Sequence, residues 1–401
     1  MAWLDTSAEE QRKAREALAL FLQRESRDEL GIGLIRDVFS DLFFPGTSVI
    51  QTRARYFLFI PWIFLEGERL GYSGPALLRW AQNRERRLVE ALRNAGDQRG
   101  LIGRVAGPAI KTLPSTIYWS GLSRYRILTV DVAADQLVPR TPARDAAMEE
   151  FGIRAAGNWD ATIPPAPEGF PSVVEDGFRL TEDEAAWLRE RMLAAAPGTL
   201  LAHLLTSGTP PQPESDAPWD DPASREAPEE MRQILTHARA FSLALNGAAL
   251  LYNLLVGERY EQLGFNEVAD PVDVYRELLA EWARECEAQA DLLNTWDRDA
   301  FWQLVVTNNP RIGCATRTFV DEWLDAVQNG RIRRAADDPG LRELVARRER
   351  SQKRDLSRLT NERLLGAWSG ASGIARLTYR WDTVRQIVTD IHEGLDSDAG
   401  A

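Results

Sequence analysis

Residues 48–65 read SVIQTRARYFLFIPWIFL, and the fold class turns on whether this run is helical or extended. Ser48 and Gln51 stand at capping-box spacing, in which each side chain accepts from the other residue's backbone N–H, so a helix is expected over 49–60. The β-branched and aromatic content of the same stretch also suits a strand. The helical reading is preferred because helix signals dominate the sequence on both sides. Upstream, Ser7-x-x-Glu10 is another capping box, opening a helix to about Gln23, and a helix from about Leu34 to Phe44 stops at Pro45-Gly46. Downstream, Ser73 and Pro75 provide the N-cap and first turn for a helix over 75–95, which Gly96 ends.

Residues 97–172 are broken by Pro108, Pro114, Pro139, Pro142 and the run Pro164-Pro165-Ala166-Pro167, and Leu128 to Val132 reads as a short strand. Thr181-x-x-Glu184 caps a helix to about Ala195, and a shorter one follows before Leu205. The stretch 207–229, SGTPPQPESDAPWDDPASREAPE, is acidic, proline-rich and aperiodic, so it reads as a linker or long exposed loop. Past it come helices at about 229–258, 271–293, 298–307, 316–328, 339–350 and 375–393. The expected fold is mainly α, multi-helix, with few short strands in the N-terminal half. The expected divisions are an N-terminal helical domain over 1–172, a helical extension over 173–206, the acidic segment 207–229 and a C-terminal helical domain over 230–395.

Lysine scarcity excludes whole classes of function. Of the 48 basic residues only Lys13, Lys111 and Lys353 are lysines. A Walker loop ends Gly-Lys-[Ser/Thr] because the ammonium must reach the β/γ-phosphates, yet Arg12, Ile110 and Gln352 precede the three lysines. Restriction-type nuclease cores place an acid two positions before a lysine; Gln11, Ala109 and Ser351 fill those places. No histidine fits the His-x-Lys of a phospholipase-D-like nuclease. There is no G-x-S-x-G elbow and no H-E-x-x-H, and Gly31-x-Gly33 falls short of a dinucleotide fingerprint. Carboxylates are plentiful, so a metal-dependent or glycosidase-type pair stays open, but no spacing singles one out.

Two cysteines, Cys286 and Cys314, build no disulfide framework, and three histidines add too little for a zinc site, so neither metal nor cofactor is expected. The longest apolar run, Tyr56 to Leu65, is half the ~20 residues of a membrane span and holds a proline. The opening MAWLDTSAEEQRKAREA lacks the apolar core of a signal peptide. A cytoplasmic protein without a membrane partner is expected.

The formal net charge is −12, but residues 51–128 carry thirteen basic side chains against five acidic ones. Such a segment calls for an anionic partner, either another molecule or the protein's own acidic remainder. Three places join arginine to aromatic residues: Thr52 to Trp62, Tyr118 to Arg126, and Tyr379-Arg380-Trp381 with Arg385. Guanidinium groups clamp phosphate and aromatic faces stack bases, so Arg53, Arg55, Tyr56, Trp119, Arg124, Tyr125, Arg126 and Arg380 are the nucleic-acid-binding candidates. The plainer alternative makes the aromatic residues core and the arginines its rim. Asn246 and Asn253, seven apart on one helix, read as buried amides that fix register, and His237 as a satisfied interior histidine.

Met-Ala-Trp-Leu-Asp-Thr-Ser at the start, Phe44-Pro45-Gly46-Thr47-Ser48 through Trp62, and Tyr379-Arg380-Trp381 through Asp390-Ile391 resemble an uncharacterised bacterial family, a full-length domain-of-unknown-function group of about this size. The resemblance brings no fold, substrate or site residue. It implies a setting, since such families sit among helicase and restriction-like genes of antiviral defence. The expected function is therefore an accessory, nucleic-acid-associated subunit working with other protein subunits. The alternatives are a protein–protein scaffold without nucleic acid, and a carboxylate- and metal-dependent enzyme such as a nuclease.

Overall fold

The computed structural model describes residues 28–96, 98–138, 157–174 and 176–397. The expected helix from Ser7 to Gln23 lies outside the described residues. Fifteen α-helices occur among those described: α1 Gly33–Phe43, α2 Tyr56–Arg69, α3 Gly74–Asn94, α4 Pro114–Arg124, α5 Glu182–Ala195, α6 Leu200–Thr206, α7 Pro222–Arg225, α8 Glu229–Gln262, α9 Pro271–Ala288, α10 Ala290–Asn294, α11 Arg298–Asn308, α12 Cys314–Gln328, α13 Pro339–Lys353, α14 Glu362–Gly366 and α15 Trp381–Leu395. The fold is mainly α. The expected strand at 128–132 is reduced to one isolated antiparallel bridge, Leu128 with Trp159. Thr129 N–H donates to Asn158 O and Asp160 N–H to Ile127 O, and among the described residues no third segment extends the pairing into a sheet.

The deciding stretch is helical, but α2 begins at Tyr56 instead of Val49. Gln51 Oε1 accepts from Ser48 N–H, as a capping box requires. The turn does not propagate, because the Thr52 and Arg53 amides are drawn to the Tyr118 hydroxyl instead. A tertiary bond outbids the local one.

The chain forms two compact units, each discontinuous in sequence: Met1–Phe39 with Gln233–Thr378, and Ser40–Arg232 with Tyr379–Ala401. The sequence reading places its cuts at 172, 206 and 229. One observed division, at 232/233, falls just past the acidic segment; those at 39/40 and 378/379 carry no compositional mark. Segment 207–229 belongs to the second unit and is tied into it. Asp221, fully buried, accepts from the N–H groups of Gln212 and Ala223 and from Ser215 Oγ, and Ser215 O accepts from Trp381 Nε1.

The first unit is built on α8 from residue 233 onward. The most apolar 18-residue window of α8 is long and apolar enough to cross a membrane, yet 83% of it is buried inside the protein, the pattern of a core helix. Two indoles pack against it: Trp282 Nε1 donates to Leu243 O and Trp323 Nε1 to Ala244 O, with the rings stacked at 5.9 Å. Gly247 makes this possible, since any Cβ there would collide with the Trp282 ring. Gly247→Ala is expected to destabilise this unit by about 2–3 kcal/mol, read from the urea midpoint, because the stacked ring has nowhere to move. Asn253 exchanges bonds with Ser372 N–H and O, and Asn246 donates to Ile374 O, so both amides hang the 371–374 segment on α8. His237 Nδ1 accepts from Trp296 Nε1, and burial holds its imidazole below the usual histidine range.

The second unit is centred on α2, whose residues Tyr56 to Phe64 are all buried. It packs against α3 and α4, while α15 returns from the far end of the sequence to pack on α5 and α6. The capping box at Thr181 and Glu184 forms as expected and starts α5.

Candidate anion-binding surface

The second unit contains all eight sequence-derived candidates, and it turns most of them inward. Arg53 precedes α2 and is 7% exposed. Its Nε and Nη2 bond the Asp390 carboxylate of α15 at 3.0 Å, its Nη1 donates to Arg99 O, and its guanidinium covers the Phe178 ring. Arg55, 3% exposed, bonds Glu184 Oε1 and Gly177 O at 3.0 Å. Tyr56 and Tyr125 are buried, their hydroxyls bonded to Ile102 N–H and Pro45 O, and burial pushes both phenols up. These four are corrected: they are interior groups, with both Arg55 terminal nitrogens, the Arg53 guanidinium and both hydroxyls bonded inside the protein.

The cause is electrostatic. A guanidinium removed from water needs a carboxylate partner, and Asp390 and Glu184 are delivered by helices far away in sequence. Trp119 is half-buried between Phe64 and Trp159, donating to Val132 O. Arg380 is paired with Asp41 at 2.8 Å. Only Arg124 and Arg126 stay exposed; Arg126 adopts the left-handed conformation just after α4.

A larger group of outward cations lies on α3 and the loop that follows it. On α3 the buried stripe runs Leu77, Ala81, Glu85, Leu88, Leu92. Arg79, Arg86 and Arg93 occupy another stripe, seven residues and ~10 Å apart, drifting only about 20° per step. Arg87 lies beside them. The loop from Gly100 to Lys111 then folds back on the C-terminal half of α3. Gly107 approaches Arg93 so closely that a Cβ there would stand 2.6 Å from Nη1, and Gly103 faces Val89. Arg79, Arg87, Arg93, Arg104 and Lys111 are exposed and have no carboxylate partner among the described residues.

The acids of this region do little to cancel them. Glu90 is exposed, but Glu85 is fully buried and accepts from Ser115 N–H and Oγ at 2.8 Å, capping the N-terminus of α4. Burial pushes its carboxyl up to about 7, with the two Ser115 bonds and Arg86 opposing. The arginine spacing 79/86/93 is visible in the sequence, outside the three arginine–aromatic stretches.

In the first unit Arg358 bonds Glu29 and Ser372, Glu349 accepts from Ser357 Oγ and Arg358 N–H, and Lys353 pairs with Glu29. Among the described residues no three His, Cys, Asp or Glu side chains converge as they would around a metal ion. No curated protein and no solved structure matches the chain. Over residues 1–394 it matches a family of unknown function (DUF6361), and it belongs to that family.

Proposed function

We propose that this protein is an accessory, nucleic-acid-associated subunit of a multi-protein system of the antiviral kind, and that the α3 stripe and the Gly100–Lys111 loop contact phosphate. The observation that carries the reading is the set of five exposed cations without carboxylate partners among the described residues, within a molecule whose formal net charge is −12. Unneutralised guanidinium groups at this density suit a polyanion, and arginine's planar fork suits phosphate. The number of buried arginines already matched to internal acids sharpens the contrast.

Binding of a DNA duplex should weaken with salt. Four phosphate contacts give a log–log slope of about −3.5. The double substitution Arg93→Glu with Arg104→Glu should reduce that slope by roughly 2 and weaken all sequences alike, with no change in thermal midpoint. A slope near zero, or a variant that binds like the parent, would remove the reading. A second reading, a scaffold without nucleic acid, draws on the internal use of Arg53 and Arg55. Freshly purified protein that carries a partner protein, has the ultraviolet absorbance ratio of nucleic-acid-free material and ignores nuclease would favour it.

A further inference from the structure

The basic surface ends in a feature that phosphate contact alone does not explain. Val105 is 92% exposed, more than any other large apolar side chain described. It sits at the tip of the loop Gly103–Gly107, between exposed Arg104 and Ala106. The tip is tightly closed: Gly107 N–H donates to Gly103 O at 2.7 Å, and Gly103 and Gly107 hold φ of +87° and +56°, which glycine adopts without strain. Its base is anchored. Leu101 and Ile102 are buried, Ile102 N–H donates to the Tyr56 hydroxyl, and Gly100 O accepts from Thr52 Oγ1 at 2.6 Å.

This closed turn holds an aliphatic side chain in water beside a guanidinium with no carboxylate partner among the described residues, so a partner that covers the side chain gains free energy. We infer that Val105 is an apolar wedge entering the minor groove of duplex DNA, with Arg104 following it into the groove. This rests on the phosphate-binding reading and adds the ligand class to it. The B-form minor groove, ~6 Å wide, admits one loop tip but not a helix, and its negative potential draws arginine. Apolar wedges from minor-groove proteins partly unstack a base step and bend the duplex toward the major groove. The A-form RNA minor groove is wide and shallow and offers such a tip no grip.

The test uses the full chain and a 2-aminopurine-labelled A·T-containing duplex, with Val105→Ser beside the parent. The parent should raise 2-aminopurine fluorescence on binding, and netropsin should compete. Val105→Ser should abolish the fluorescence rise and weaken binding about tenfold while keeping the parent's salt slope. If both proteins bind with the same slope, affinity and fluorescence, the wedge is wrong and the phosphate surface stands. If duplex RNA or single strands bind more tightly than duplex DNA, the groove assignment is wrong. If no nucleic acid binds with a salt dependence, both fall together.

Discussion

Asp390→Ala is expected to cost about 3–5 kcal/mol of stability, the largest effect of any single side chain in the second unit. Asp390 lies on α15, 1% exposed, and accepts from Arg53, from Ala54 N–H at 2.8 Å and from Gln386 at 2.8 Å. Burial pushes its carboxyl up, and the Arg53 guanidinium opposes that rise. Truncation leaves a guanidinium stranded over the Phe178 ring with no counter-charge and frees the backbone turn that starts α2. Breaking a buried pair costs far more than replacing both members with uncharged groups. The double substitution Arg53→Met with Asp390→Asn should therefore be less damaging than Asp390→Ala alone, since the asparagine still accepts from Ala54 N–H. Urea denaturation of the three proteins measures this. A cost below about 1 kcal/mol for Asp390→Ala would mean that Arg53 escapes to solvent.

Glu85→Gln should remove a pH dependence of stability worth on the order of 2–3 kcal/mol between pH 5 and pH 8. The carboxyl of Glu85 is raised in the folded protein, from an ordinary 4.5 up to about 7. The folded state thus holds a proton that the unfolded chain releases earlier. Its stabilising contribution is fully present below pH ~4.5 and is lost as pH rises through about 7. Glutamine cannot ionise, yet its carbonyl accepts from Ser115 N–H while its amide donates to Ser115 Oγ, so the cap on α4 survives. Unfolding free energies at both pH values, for parent and variant, give the comparison. Equal pH dependence in the two proteins would place the titrating group elsewhere.

The role of Asp390 is announced by no local pattern, since its partners Arg53 and Ala54 come from the far end of the sequence. The helices were largely legible: the capping box at Thr181 and Glu184, Pro75 in the first turn of α3 and Pro271 at the first position of α9 are signals that act within a few residues of themselves. Helix α4 was missed because Pro114 reads as a break, although it occupies the first helical position where a missing N–H costs nothing. The start of α2 was misplaced by seven residues because the Tyr118 hydroxyl claims the amides at its approach. Glu85 stands in register with Leu77, Ala81 and Leu92 on the buried stripe, so its burial was there to be read.

The binding candidates divide along the same line. Arg55 and Arg124 look alike in the sequence, each a guanidinium directly before a tyrosine, and only Arg124 faces water. Composition and periodicity sufficed for the helical class, for the missing lysine chemistry and for a concentration of positive charge in residues 51–128, because these depend on residue type and near-neighbour spacing. Which arginines carry that charge outward was decided by the return of α15 and the placement of α5, which bring Asp390 and Glu184 to Arg53 and Arg55 across more than a hundred residues. An ion pair is formed by proximity in space, and proximity between distant segments exists only once the chain has folded.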